Sequence, residues 1–217
     1  MRKGRGAVSK TRGASLAGRS KSRTLSARIN ELFIAEDTAR AKEIIRAQLK
    51  ESPNDHWLMT RLASVYTMER RYGIALRWAT RALSLAPWCP LVRWDLACAL
   101  DGQRKHEEAI ALWQQLISDD VDALAEGRCG EGRRWAQSLV NDCRYRVGRA
   151  YELLGRDARA MAALTKHIAM RAPGVPSLYP ARLVRRRLDA LCEKHVPKAL
   201  FADARREDRY VSRQSEE

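Results

Sequence analysis

The chain has 217 residues, room for one medium domain or a short repeat array, with 45% hydrophobic residues and a formal net charge of +15. No apolar run approaches the length of a membrane-spanning helix, and the five cysteines, at 89, 98, 129, 143 and 192, form an odd set without a CxxC pair. That set argues against a disulfide framework and against zinc, fits a reducing compartment, and makes the cytoplasm the expected location.

Residues 1–24 read MRKGRGAVSKTRGASLAGRSKSRT. Residues 1–30 hold nine of the 41 Lys and Arg and no acid, so +9 of the +15 sits at this end. So polar a segment cannot bury enough surface to offset its ordering entropy, and a disordered basic arm is expected over 1–24. It lacks the apolar centre of a secretory signal. Its Arg/Ser-rich, acid-free composition is that of a mitochondrial transit peptide, though its glycines weaken any amphipathic helix. As a basic tail it offers sequence-independent contacts to phosphates.

Beyond the arm the chain echoes itself every 34 residues. Ala41, Ala75 and Ala109 keep this interval, as do Pro53 and Pro87, and the pairs Leu62-Ala63 and Leu96-Ala97. Such a period marks stacked helical hairpins. A first, atypical unit covers 22–55; its second helix fits through Ala41, Ile45 and Pro53, but Ile29 stands where a small residue belongs. In residues 56–89, Met59, Leu62, Ala63 and Tyr66 share one helix face. Glu69-Arg70-Arg71 makes the turn, Ala75 and Ala82 line the second helix, and Pro87 ends it. Residues 90–123 repeat the design with Leu96, Ala97 and Leu100, a turn at Asp101-Gly102-Gln103-Arg104, and Ala109 and Trp113 inward. No proline follows, which leaves this helix free to run on toward Leu124.

Residues 124–140 are an insertion that contains GRCGEGRR. The stripe Trp135, Leu139, Cys143, Val147, Tyr151 and Leu154 predicts one long helix from about Arg133 to Leu154. It feeds a further unit at 141–174, with Val147, Gly148 and Tyr151 in the first helix, a turn at Gly155-Arg156-Asp157, and Ala160 and Leu164 in the second. Pro173-Gly174 stops it, and His167 takes the place of a small residue. Residues 178–195 form a helix with Val184, Leu188, Leu191 and Cys192 on one side, expected to cap the stack. The repeat domain is expected over 25–201, followed by a charged tail at 202–217.

No enzyme motif is found: GxxxxGK[ST], HExxH and GxSxG are absent. The glycines of GRCGEG follow no predicted strand, and the histidines at 56, 106, 167 and 195 share no i, i+4 ligand spacing; each reads as a helix-surface or boundary residue. Cys129 is the one thiol to weigh, since Arg128, Arg133 and Arg134 lie near it in sequence and positive charge lowers a thiol pKa, but the preferred reading is an ordinary loop cysteine. The chain is read as non-enzymatic, without catalytic residue, cofactor or metal.

The pattern Ala63, Tyr66, Ala75, Ala82, Pro87 resembles the tetratricopeptide repeat (TPR), and the likeness covers residues 22–174. The resemblance implies an all-α fold, a right-handed α–α superhelix of antiparallel helical hairpins whose concave groove is lined by the first helices. Carried over by register, the groove positions are Trp57, Thr60, Ser64 and Thr67, then Leu91, Trp94, Cys98 and Asp101, then Asp142, Tyr145, Arg149 and Glu152. Trp94 and Tyr145 would be the aromatic anchors. Family members that hold the carboxylate tail of cytosolic chaperones place Lys and Asn where this chain has Thr60 and Ser64. That clamp is therefore not assembled.

The expected function is that of a protein–protein adaptor or scaffold, holding a peptide or helical segment of another protein in the groove. The alternative is nucleic-acid or ribonucleoprotein association through the basic arm, non-specific and steeply salt dependent.

Overall fold

A computed structural model of the chain describes residues 25–171 and 173–195. The expected basic arm (1–24) and charged tail (202–217) lie outside the described residues. Helix α1 occupies residues 25–34. It is followed by α2 (Thr38–Glu51), α3 (His56–Met68), α4 (Tyr72–Leu85), α5 (Pro90–Gly102), α6 (His106–Ser118), α7 (Val121–Glu126), α8 (Arg133–Leu153), α9 (Asp157–Arg171) and α10 (Ala181–His195). The described residues contain no strand. None of these helices is long and apolar enough to cross a membrane.

One turn device is used four times. Glu36, Arg70, Arg104 and Gly155 adopt left-handed backbone, with φ of 55°, 57°, 64° and 69°. In each turn the next N–H donates to the carbonyl five residues back: Asp37 to Leu32 (2.9 Å), Arg71 to Tyr66 (2.8 Å), Lys105 to Leu100 (3.0 Å) and Arg156 to Tyr151 (2.9 Å). This is the Schellman closure of a helix C-terminus. It closes α1, α3, α5 and α8, the first helix of every hairpin. The first three turns keep the 34-residue interval; Gly155 follows Arg104 by one repeat plus the 17 residues of the insertion.

The helices stack in chain order. α3 packs on α4, α5 on α6 and α8 on α9, while α3 also meets α5, and α6 meets α8. Small side chains permit this approach: Ala63, Ala79, Ala97, Ala109 and Ala160 are fully buried. At Gly148 on α8, an added Cβ would stand 2.7 Å from Cγ of Leu164 on α9. Ile29, the large residue in a small-residue position, is fully buried against Ala41 and Ile45 and joins the core of the first hairpin.

Where the sequence left α6 free to continue, the chain breaks at Asp119. Asp120 then starts a separate helix, its carboxylate accepting the N–H of Ala123 at 2.8 Å. An N-cap oxygen satisfies a donor that the helix cannot satisfy itself, so Asp120 favours a new start over continuation. The short α7 buries Leu124 and Ala125 against Ala136 and Val140 of α8. After α9, residues 173–180 lead to α10, which packs on α9 and buries Val184 and Leu191.

Candidate functional site

A groove of about 340 Å³ lies between the first helices of the hairpins. α3 contributes Arg61, Ser64, Thr67 and Met68; α5 contributes Leu91, Trp94, Asp95 and Cys98. α8 contributes Trp135, Ser138, Leu139, Asp142 and Arg146, and Phe33 and Leu178 complete the lining. Each helix presents residues three, four and seven apart, one face of a 3.6-residue period.

A polar network runs along the floor. Ser64 donates to Asp95 at 2.8 Å, and Nη2 of Arg61 stands 3.4 Å from the same carboxylate oxygen. Burial pushes the Asp95 carboxyl above the usual aspartate range, opposed by the Arg61 charge and the Ser64 hydroxyl. The Arg61 guanidinium also lies over the rings of Phe33 (5.8 Å) and Trp57 (5.9 Å). Across the groove, Nε of Arg146 donates to the Tyr179 hydroxyl at 2.6 Å, and its guanidinium covers Trp94 at 5.8 Å. The thiol of Cys98 is held neutral, since burial pushes it up to about 12. Among the described residues, Nε of Arg61 and Oγ1 of Thr67 are buried without a hydrogen-bond partner.

The positions carried over by register separate into two groups. Ser64, Thr67, Leu91, Trp94, Cys98 and Asp142 line the groove. The remainder are engaged elsewhere. Thr60 is 1% exposed, its hydroxyl donating to the His56 carbonyl of its own helix. Trp57 is half-buried against the core of the first hairpin. Asp101 pairs with Nδ1 of His106 at 2.7 Å. Tyr145 is buried, stacked on Tyr179 with ring centroids 3.8 Å apart. Arg149 bonds Glu152 at 2.7 Å, and Arg187 of α10 reaches the same carboxylate at 3.3 Å.

The segment 175–195 therefore covers the last hairpin's share of this face. Asp142 anchors it, accepting from the Ser177 hydroxyl at 2.5 Å and the Leu178 N–H at 3.2 Å. Phe33, Arg61, Asp95, Trp135, Arg146 and Leu178 were not among the carried-over positions. Arg61 and Asp95 were legible as a pair of opposite charges one repeat apart; Leu178 carried no periodic signal.

One expectation about a titratable group is corrected, and the ordinary reading of Cys129 is kept. His167 is not a surface or boundary residue: it is fully buried, Nδ1 2.9 Å from the Asn141 carbonyl, and burial holds its pKa below the usual value. Cys129 is not activated by its basic neighbours. Burial and the adjacent Cys89 thiol push its pKa up, outweighing Arg128. Arg133 is paired with Asp122 at 2.7 Å, and Arg128 lies over the ring of Trp88 at 5.3 Å.

No family model matches the chain, and no curated protein matches it. Solved structures do. The chain is similar to a double mutant of MamA RS-1, with 11% identity, a TM-score of 0.57, and 90% of this chain and 96% of that one covered. It is similar to a Podosopora anserina protein of nearly identical TPR-like repeats, with 18% identity, a TM-score of 0.55, and coverages of 80% and 86%. A further MamA structure aligns at 16% identity with a TM-score of 0.50, over 83% of this chain and 96% of that one. The hairpin turns, the small-residue contacts and these likenesses agree: the chain has the fold of an all-α, TPR-like helical superhelix.

Proposed function

We propose that this chain is a non-enzymatic adaptor that holds a segment of another protein in the groove between α3, α5 and α8. The observation that carries the reading is the make-up of that groove. Trp94, Leu91, Trp135 and Leu139 supply an apolar wall, and Arg61 and Arg146 supply two guanidiniums beside it. Aromatic and Arg side chains of this kind dominate the energetics of interfaces. The unpartnered Nε of Arg61 and Oγ1 of Thr67 are a buried donor and a buried hydroxyl that a bound chain would satisfy. The partner segment suited to it carries one apolar anchor flanked by carbonyl or carboxylate acceptors. The expected setting is the cytoplasm.

The test is affinity capture from lysate with the full chain, a version lacking 1–24, and full chain carrying Trp94→Ala with Arg61→Ala, each with and without nuclease. Proteins that survive truncation and nuclease but are lost with the double substitution support the groove. Material lost on truncation or nuclease treatment, and kept by the double substitution, sinks the groove reading. It would assign function to the basic arm and nucleic acid instead, where +8 of charge in residues 1–24 makes phosphate binding salt dependent.

A further inference from the structure

Three ligand atoms that are remote in sequence meet where α3 and α5 begin. The imidazole of His56 and the thiols of Cys89 and Cys129 place their ligand atoms within 4.8 Å of one another. Nε2 of His56 lies 3.3 Å from Sγ of Cys129. None of the three lines the groove. His56 is the first residue of α3, Cys89 is the N-cap of α5, and Cys129 sits in the insertion loop between α7 and α8.

Cys89 is an unusual choice for its position. One repeat earlier the N-cap is Asp55, whose carboxylate accepts the N–H groups of Trp57 and Leu58. Cys89 makes no such capping bond. Its thiol lies beside Cys129 and His56 instead. The loop that delivers Cys129 is held tightly. Gly130 donates to the Gly127 carbonyl at 2.8 Å, and an added Cβ at Gly130 would stand 2.2 Å from the Ala125 carbonyl oxygen. Glycine at 130 is thus a condition for bringing the cysteine to this place. Around the cluster lie Met59, Ala82, Ala86 and Val92, an apolar shell.

We infer that His56, Cys89 and Cys129 form a zinc site that clips the insertion loop to the starts of α3 and α5. Sulfur and imidazole donors select a borderline-soft ion over magnesium or calcium. Two thiolates cancel the charge of a divalent ion, so the bound unit is neutral and suits an apolar shell. Both thiol protons pass to solvent buffer on binding, and the imidazole coordinates in its neutral form. Three protein ligands leave one tetrahedral position for a water, and His56 and Cys129 are partly exposed.

The experiment uses reduced full-length protein, zinc in competition with a chromophoric chelator, and cobalt as the spectroscopic probe. The expected result is one zinc per chain and a thiolate-to-cobalt charge-transfer band. Cys89→Ser, Cys129→Ser and His56→Ala should each weaken zinc by more than the roughly 10–100-fold that loss of a supporting contact costs, and Cys192→Ser should not. Cys89→Ser places a favoured N-cap residue at this position, so its circular dichroism should remain that of the parent. Absence of stoichiometric zinc, or equal affinity in the ligand variants, overturns the assignment. So does a reduced protein that ignores zinc and cobalt while Cys89 and Cys129 oxidise to a disulfide.

Discussion

Arg61 and Asp95 occupy equivalent positions in consecutive repeats, 34 residues apart, and meet at 3.4 Å on the groove floor. Ser64, one helical turn on, donates to the same carboxylate at 2.8 Å. Asp95 is 5% exposed, so the pair trades Coulomb attraction against desolvation. The repeat interval thus builds a charge pair out of one register, with the cation from one hairpin and the anion from the next.

Asp95 gives stability a pH dependence of predictable sign. Burial raises its folded-state pKa above the ordinary value of 3.8. The folded chain therefore holds this proton more tightly than the unfolded chain does. Stability from the neutral carboxyl is complete below the unfolded pKa and is lost as pH rises through the folded one. Asp95→Asn stays neutral throughout. Urea unfolding across the acid range should show the parent losing ground to Asp95→Asn as pH rises; a constant difference would refute the assignment.

Trp94→Ala should weaken a groove-bound partner by about 2 kcal/mol or more, roughly 30-fold. Arg149→Ala should leave that affinity unchanged, because Arg149 is engaged with Glu152 beside Arg187. Titration calorimetry with a captured partner segment compares them. Equal losses would place the binding surface elsewhere.

Arg104→Gly should stabilise the fold. Arg104 holds φ at 64°, which costs a non-glycine residue about 1–2 kcal/mol. Glycine avoids this but loses about 0.5–1 kcal/mol of extra chain entropy. A net gain of about 0.5–1 kcal/mol follows, read as a rise in the urea midpoint. A lower midpoint would mean that the arginine side chain contributes more than its backbone costs.

Gly148→Val should destabilise by about 2 kcal/mol. Its Cβ would enter the space of the buried Leu164, and overpacking of a filled core costs about 1–3 kcal/mol. The better helix propensity of a non-glycine residue offsets only a few tenths of that. Thermal unfolding monitored at the helix band provides the measurement, and an unchanged midpoint would show that α8 and α9 can separate freely.

An acidic C-terminal peptide of the chaperone type should show no measurable heat on titration. Thr60 is buried and bonded to its own helix, and the Ser64 hydroxyl is committed to Asp95. Neither stands in for the Lys and Asn of a two-carboxylate clamp. Binding in the micromolar range would show that Arg61 and Arg146 form a clamp by another route.

The sequence by itself determined the hairpin stack. Ala at fixed intervals, Pro after three of the four second helices and polar turns between are local and periodic signals, because close helix packing needs small residues at recurring contacts. Register alone also carried Ser64, Trp94 and Cys98 to the face that lines the groove. Tertiary structure decided what covers that face. Tyr145, Arg149 and Glu152 share the register, yet Tyr179 and Arg187 from the terminal segment occupy their surroundings. Helical period says where a side chain points, not which distant element docks against it. The same reason hides His56, Cys89 and Cys129, whose convergence depends on where the insertion folds back and not on any spacing between them.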